Sequence, residues 1–199
     1  MLILGIETAT ERVSVSIGGH EGAIGLFAGP KGRRHAETLV PAIEFVCTQS
    51  GIELDEISVV AVDVGPGLFT GMRVGLASAK AIAQALRIPM IGITSLDLLA
   101  FPCRHTDRVI VPVIDARKGE VFYAMYRHVP GGVQQVAEPA VGPIEDLVAD
   151  LMARSQDVLL VGDGAVRYRD EILEGFHCEI GGDAHPSAAP LVQLAHARA

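Results

Sequence analysis

The residues best suited to chemistry lie within residues 63–75, which read Asp-Val-Gly-Pro-Gly-Leu-Phe-Thr-Gly-Met-Arg-Val-Gly. A buried, β-branched strand is predicted before this stretch, over residues 57–62, and an Ala-rich helix after it, over residues 76–86. A glycine-rich turn between a strand and a helix N-terminus is able to bind phosphate, because free backbone N–H groups and the helix dipole converge there. The candidate phosphate-binding residues are Gly65, Gly67, Thr70 and Arg73.

The same turn also has a purely structural interpretation. It does not match the Walker A motif, since no Lys-Ser/Thr pair follows its last glycine, and it lacks the spacing of the dinucleotide-binding fingerprint. Its glycines permit a tight backbone with positive φ, and such a turn also holds a helix close to a sheet. The residue pattern alone leaves both interpretations open.

Other polar residues form no recognisable catalytic set. Glu7, Asp63 and Asp115 end predicted strands and could ligate the metal of a nuclease, but no further acidic residue lies on the predicted interior strands. His35 has no second His at i+3 or i+4, so we interpret it as a polar residue near a helix start. No Ser or Thr has His and acid partners at a spacing typical of a hydrolase triad.

Composition excludes several classes of protein. The chain has 199 residues and a formal charge of −8, which argues against independent binding to nucleic acid. Cys47, Cys103 and Cys178 are odd in number and far apart, so we expect neither a disulfide framework nor a zinc site. No apolar run approaches the roughly 20 residues of a membrane span, and the N-terminus begins with a strand rather than a signal peptide. We therefore expect a cytoplasmic globular protein.

The predicted elements occur in the same order in both halves of the chain. Strands are predicted over residues 2–8, 12–18, 23–28, 57–63 and 90–93, and again over residues 109–114, 120–126, 133–141 and 158–161. Helices are predicted over residues 36–50, 76–86 and 168–173, after Pro143 and from residue 188. A duplicated βββαβα unit is typical of the ribonuclease H-like, actin-like ATPase fold. We predict an α/β fold of two lobes, residues 1–102 and 103–199.

The helix after the glycine turn has more apolar surface than packing on one sheet requires. Its polar side chains fall in one narrow stripe: Arg73, Lys80, Gln84 and Arg87. A helix that covers a sheet needs an apolar arc of only about 100°. The excess of small and apolar residues predicts a second packing partner, and hence a helical protein–protein interface.

Four motifs resemble those of one family. Residues 65–75 resemble the signature Gly-Pro-Gly-Ser-Phe-Thr-Gly-Leu-Arg-Ile-Gly of the bacterial TsaB family, also called YeaZ. Residues 4–10, Leu-Gly-Ile-Glu-Thr-Ala-Thr, resemble its opening strand. Residues 34–41 resemble its first helix, and residues 115–122 its second-lobe hairpin. The resemblance extends over nearly the whole chain.

This resemblance implies a non-catalytic subunit in the synthesis of threonylcarbamoyladenosine next to the anticodon of tRNA. The implied partners are the transferase TsaD, as a direct heterodimer, and the ATPase TsaE, with tRNA bound only through the assembly. No cofactor is implied, and nucleotide binding would be weak or confined to the complex. The first two helices would form the dimer surface, which we assign to Leu39, Ile43, Val46, Met72, Gly75, Ala79 and Ile82. Gly75→Arg would then abolish the complex and leave a folded monomer.

One segment distinguishes this chain from the catalytic paralogue. TsaD-like proteins have a His-rich, metal-binding segment after the strand that follows the glycine-turn helix, whereas residues 94–99 here read Thr-Ser-Leu-Asp-Leu-Leu. Leucine cannot ligate a metal, and one Asp with a Ser is a poor substitute for two imidazoles. Leu68 also replaces the usual Ser of the glycine signature, which weakens the nucleotide interpretation.

Three alternatives stay open at this level. An independent ATP-dependent small-molecule kinase would share the predicted fold but require nucleotide binding. A metallopeptidase, suggested by an old label of the superfamily, would require a metal. Self-association through the helical surface is also compatible with the sequence, because an exposed apolar patch is a liability for a protein without its partner.

Overall fold

The computed structural model describes residues 1–29, 32, 34–182 and 185–199. The elements found in these residues are, in chain order, β1 (Ile3–Glu7), β2 (Ser14–Gly19), β3 (Gly22–Ala28), α1 (His35–Ser50), β4 (Val59–Asp63), α2 (Phe69–Leu86), β5 (Met90–Ile93), α3 (Ser95–Ala100), β6 (Val109–Arg117), β7 (Glu120–Val129), β8 (Gly132–Pro143), α4 (Ile144–Arg154), β9 (Val158–Val161), α5 (Asp163–Arg167), α6 (Arg169–Gly175), β10 (Glu179–Ile180) and α7 (Ala189–His196). They form two structural units, which are Met1–Leu98 with Ser187–Ala199, and Leu99–Pro186.

The first unit is built on a sheet with the strand order β3-β2-β1-β4-β5. β1 is antiparallel to β2 and parallel to β4. Helices α1 and α2 pack on one face of this sheet, and α7 packs on the other. Because both faces are covered, β1 and β4 are buried along their whole length, which explains their nearly continuous apolar sequences.

The second unit repeats this topology on a sheet with the order β10-β9-β6-β7-β8. β6 is antiparallel to β7 and parallel to β9, as β1 is to β2 and β4. Its core is formed by the inward side chains of these strands together with α4, including Val111, Val113, Leu147 and Leu160. The predicted α/β fold with a duplicated βββαβα unit is therefore confirmed.

The C-terminal segment differs from the predicted division of the chain. Residues 103–199 were expected to form one lobe, but Ser187–Ala199 belongs to the first unit. There, Leu191, Val192 and Ala195 of α7 pack against Ile3 and Val59. The second face of the first sheet is apolar and must be covered. The apolar stripe of α7 predicts that this helix covers a sheet, but it does not indicate which of the two sheets.

Helix α2 begins at Phe69 rather than at residue 76. It therefore includes Gly71 and Gly75, residues with low intrinsic helix propensity. Close packing of these two glycines against Thr8, which follows β1, overrides that propensity. No helix in the described ranges is both long and apolar enough to cross a membrane.

Two buried serines attach the C-terminal segment to the first sheet. The Ser16 hydroxyl donates to the carbonyl oxygen of Ala188 over 2.6 Å, and the Ala188 amide donates to Ser14 Oγ over 3.0 Å. Replacing both serines by Ala leaves the buried Ala188 amide without a partner, at a cost of about 1–3 kcal/mol. It also removes one of the two hydrogen bonds to the Ala188 carbonyl oxygen, which still accepts from the Leu191 amide.

We expect Ser14→Ala/Ser16→Ala to lower the free energy of unfolding, measured by urea denaturation, and to expose residues 187–199 to proteolysis. Ser58→Ala, at an exposed position before β4, is the matched control and should change stability by no more than about 0.5 kcal/mol. Unchanged stability of the double variant would show that these two hydrogen bonds do not fix the segment.

Candidate functional site

Some backbone amides of the glycine turn, residues 65–71, donate hydrogen bonds to other residues of the chain. The amide of Gly65 donates to Asp63 Oδ1 over 2.8 Å. The amide of Leu68 donates to the carbonyl oxygen of Ala9 over 2.6 Å. A phosphate held by either amide would have to break one of these bonds, which favours the structural interpretation of the turn.

Three glycines of the motif recur at intervals of four residues and lie against the segment that follows β1. A Cβ atom at Gly67 would overlap the carbonyl oxygen of Ala9, one at Gly71 the carbonyl oxygen of Thr8, and one at Gly75 the Thr8 hydroxyl. The Thr8 hydroxyl also donates to the carbonyl oxygen of Gly71 over 2.8 Å. These glycines therefore allow α2 to approach the end of β1 closely, a function that requires no ligand.

Thr70 and Arg73 lie on the outer side of α2. Together with Val74 and Ala77 they line a shallow groove of about 360 Å³. The Arg73 guanidinium lies 5.4 Å from the centroid of the Phe69 ring, within the range of a cation–π contact. These two candidates for phosphate binding are thus part of the exposed surface of the helix.

Most of the predicted interface residues are buried in the core of the first unit. Leu39, Ile43 and Val46 of α1 and Ala79 of α2 pack under the helices against the sheet, and Gly75 is buried against Thr8. Their assignment to a partner surface was wrong, because a helix on a sheet turns its most apolar stripe inward. Only Met72 and Ile82 are partly exposed.

The side chains available to a partner are different ones. Val40 and Phe45 of α1 are 55% and 51% exposed, and Phe69 of α2 is 69% exposed. We call the outer helix surface the set formed by Val40, Phe45, Phe69, Thr70, Arg73 and Ala77. The sequence could have indicated this surface, because α1 carries apolar residues outside the stripe that packs on the sheet.

His35 has a structural role. It is the first residue of α1, is buried, and its Nε2 donates to the carbonyl oxygen of Thr10 over 2.7 Å. This contact fixes the start of α1 to the segment after β1. The interpretation of His35 as a polar residue near a helix start is confirmed.

Two acidic residues are enclosed at the ends of β1 and β4. Glu7 and Asp63 have no exposed surface. Burial raises the pKa of Glu7 well above its ordinary value, and the neighbouring Asp63 raises it further. Burial also raises the pKa of Asp63 to about 7, although hydrogen bonds from Ser95 and Gly65 oppose the shift.

The third acidic candidate, Asp115, is neutralised within the second unit. Arg117 and Arg167 form ion pairs with its Oδ2 at 3.4 Å and 3.2 Å, and the Arg117 amide donates to its Oδ1. In the parts of the chain that the structure describes, no group of three or more His, Cys, Asp or Glu side chains is arranged to hold a metal ion.

Residues 95–100, in the segment where the resemblance predicts no metal ligands, form the short helix α3. Ser95 begins this helix, and its hydroxyl lies 2.7 Å from both carboxylate oxygens of Asp63. Leu96, Leu98 and Leu99 are buried. The segment therefore contributes packing and one hydrogen bond to the end of β4.

Solved structures first define the class of protein. The ethanolamine utilization protein EutJ from Carboxydothermus hydrogenoformans aligns with 98% of this chain and 90% of its own, with a TM-score of 0.58 at 10% identity. At that identity the likeness concerns the fold alone, which is a shared α/β fold.

Closer relatives define the family. YeaZ from Pseudomonas aeruginosa aligns with a TM-score of 0.83 at 25% identity, over 98% of this chain and 90% of its own. TsaB of Escherichia coli is 32% identical over 82% of this chain and 72% of its own length, and TsaB of Bacillus subtilis is 29% identical over 81% and 71%. The family model described as TsaD, tRNA N6-adenosine threonylcarbamoyltransferase, matches residues 26–168. The chain belongs to the TsaB (YeaZ) family.

Proposed function

We propose that this chain is a non-catalytic subunit that forms a heterodimer with the TsaD transferase in the cytoplasm and supports threonylcarbamoylation of tRNA. The observation that carries the proposal is the outer helix surface, where Val40, Phe45 and Phe69 are at least half exposed. Exposed apolar side chains on helices that contact each other favour a protein–protein contact where they form one patch. The curated relatives are named for tRNA threonylcarbamoyladenosine biosynthesis, which supplies the pathway.

The outer helix surface has the composition of an interface. Phe69 and Phe45 offer large apolar areas, and burying apolar surface contributes about 25 cal/mol per Å². Arg73 and the exposed Lys80 supply a polar rim. Association through this surface would hold TsaD in a competent geometry, create the docking site for TsaE, and leave tRNA binding to the assembly.

The non-catalytic part of the proposal is supported by how the polar groups are used. Ser95 and the Gly65 amide bind Asp63, and the Leu68 amide binds Ala9. These groups are engaged in holding the turn and the strand ends together. The kinase alternative is supported only by the shared fold, so we propose no required cofactor and no independent nucleotide site.

The test is to mix this chain with TsaD from the same organism and measure the mass by size-exclusion chromatography with light scattering. We expect a one-to-one complex. We also expect more tRNA modification in a reaction with TsaD, TsaE, substrate and this chain than in the same reaction without this chain. The chain by itself, at the same concentration, reports self-association. Absence of a complex between two folded proteins would overturn the proposal, and ATP titration would then test the kinase alternative.

A further inference from the structure

The parallel pairing of β1 and β4 brings two acidic side chains together. Ile6 of β1 lies opposite Val62 of β4, so the residues that follow, Glu7 and Asp63, end neighbouring strands whose backbones are about 4.8 Å apart. Both side chains are fully enclosed. Two adjacent carboxylates in a buried site cannot both ionise without a large electrostatic penalty.

The hydrogen bonds of this pair are incomplete in one place. Asp63 accepts from the Gly65 amide and from the Ser95 hydroxyl. Glu7 Oε1 accepts from the Thr10 amide over 3.2 Å. Glu7 Oε2 is buried and has no hydrogen-bond partner. A proton on the pair would remove one negative charge from a site where this oxygen has no donor to stabilise that charge.

The charged groups that surround the pair do not supply a counter-charge. Asp97 of α3 raises the pKa of Asp63 by repulsion, and its own carboxylate is paired with Arg198 after α7 at 2.9 Å. His35 of α1 points its Nε2 at the carbonyl oxygen of Thr10. In the described residues, neither Glu7 nor Asp63 forms an ion pair with a Lys or Arg side chain.

The pair is connected to both helices that carry the outer helix surface. Glu7 accepts a hydrogen bond from the Thr10 amide. Residues 8–10 in turn form hydrogen bonds with the first turns of α1 and α2. Thr8 donates to Gly71 of α2, and His35 of α1 donates to Thr10. The segment after β1 is therefore the common support of α1 and α2.

We propose that Glu7 and Asp63 share one proton, and that this proton stabilises the segment of residues 8–10 and, through it, the starts of α1 and α2. When the proton is lost, two negative charges lie side by side in a buried site, and the first unit is weakened. The proposal concerns this chain alone and does not depend on the TsaD partnership.

The direction of the pH effect follows from linkage. The folded protein binds the shared proton more tightly than the unfolded chain, whose carboxyl groups have pKa values near 4. This contribution to stability is complete below about pH 4 and is lost as the pH rises through the raised pKa values of the folded pair. The pKa of Asp63 is about 7, and the pKa of Glu7 is also well above its ordinary value. Within that window, the folding equilibrium constant falls by about tenfold per pH unit for each proton released on unfolding.

The experiment is urea denaturation of the whole chain between pH 5 and pH 8.5, with Glu7→Gln compared with the unmodified chain. Glu7→Gln keeps the shape of the side chain and replaces the protonated carboxyl group by an amide. It should lower the slope by the contribution of one proton, while Asp63, whose pKa is raised by its own burial, retains its contribution. Glu44→Gln, at an exposed position of α1, is the matched control and should keep the original slope. An unchanged slope in Glu7→Gln would overturn the proposal.

A second readout does not depend on the folding of a variant. Carbon-13 NMR of the side-chain carboxyl groups in the unmodified chain should show a step assigned to Glu7 or Asp63 above about pH 6, far from the ordinary value near 4. If both groups titrate below pH 5, the pair holds no shared proton at neutral pH and the proposal is wrong.

Discussion

We expect Ala77→Arg to disrupt the proposed complex with TsaD while the chain itself remains folded. Ala77 lies on the exposed side of α2 and lines the shallow groove beside Thr70 and Arg73. Arginine is a good helix former, so an exposed position accepts it without loss of stability. In the proposed interface, however, a second guanidinium beside Arg73 would have to be desolvated without a partner, at a cost of several kcal/mol. We expect at least about a hundredfold loss of affinity, which corresponds to roughly 3 kcal/mol.

The same substitution elsewhere on α2 gives the matched control. Ala85 is also exposed, and it lies two turns further along the helix, about 12 Å from Ala77. Ala85→Arg should bind TsaD almost as well as the unmodified chain. Titration calorimetry of both variants, with circular dichroism to check folding, measures the difference. Normal assembly of a folded Ala77→Arg variant would exclude the outer helix surface as the interface.

Gly71→Ala unfolds the first unit or destabilises it by about 3 kcal/mol or more. A single methyl group at Gly71 would overlap the backbone carbonyl of Thr8, which cannot rotate away. Forcing extra volume into a packed site typically costs about 1–3 kcal/mol, and more when backbone must move.

Gly75→Arg belongs to the same group, because Gly75 is buried against the Thr8 hydroxyl. The sequence predicted that Gly75→Arg would leave a folded monomer. The structure instead leads us to expect that this substitution damages the fold.

The control for this prediction is Gly182→Ala. Among the residues that the structure describes, none has an atom within 4 Å of a Cβ built at Gly182. Ala is therefore accommodated there and should change stability by no more than about 0.5 kcal/mol. Urea denaturation followed by circular dichroism compares the two variants. Equal stability of Gly71→Ala and the unmodified chain would show that α2 does not need this close approach to residues 8–9.

The sequence predicted the order of elements better than the direction in which side chains point. Alternating or continuous apolar residues in β2 and β4 identify these strands because burial leaves a regular pattern. The direction of α1 is harder to predict. Leu39, Ile43 and Val46 form an apolar stripe that is compatible with a core or a partner, and only the packing on the sheet shows that it is core.

The polar part of the candidate site shows the same limit. Glu7 and Asp63 were identified as strand-ending acids, but their enclosure depends on pairing between strands that lie far apart in the chain. The role of Ser95 likewise depends on α3, a helix too short for its periodicity to be recognised. Interactions between distant segments thus determine the site, and residue patterns in one segment do not contain them.

The return of residues 187–199 to the first sheet has a consequence for synthesis. Residues Met1–Leu98 are synthesised first. The face of the first sheet that α7 covers, however, stays uncovered until α7 has emerged from the ribosome. The second unit, Leu99–Pro186, is continuous and can complete its core before the first one does. Domains generally fold from the N-terminus during translation, whereas here the first unit cannot complete its core until the second unit has been synthesised. During that interval the nascent chain exposes Ile3, Val59 and Ala61, so a chaperone that binds extended apolar strands would meet it there.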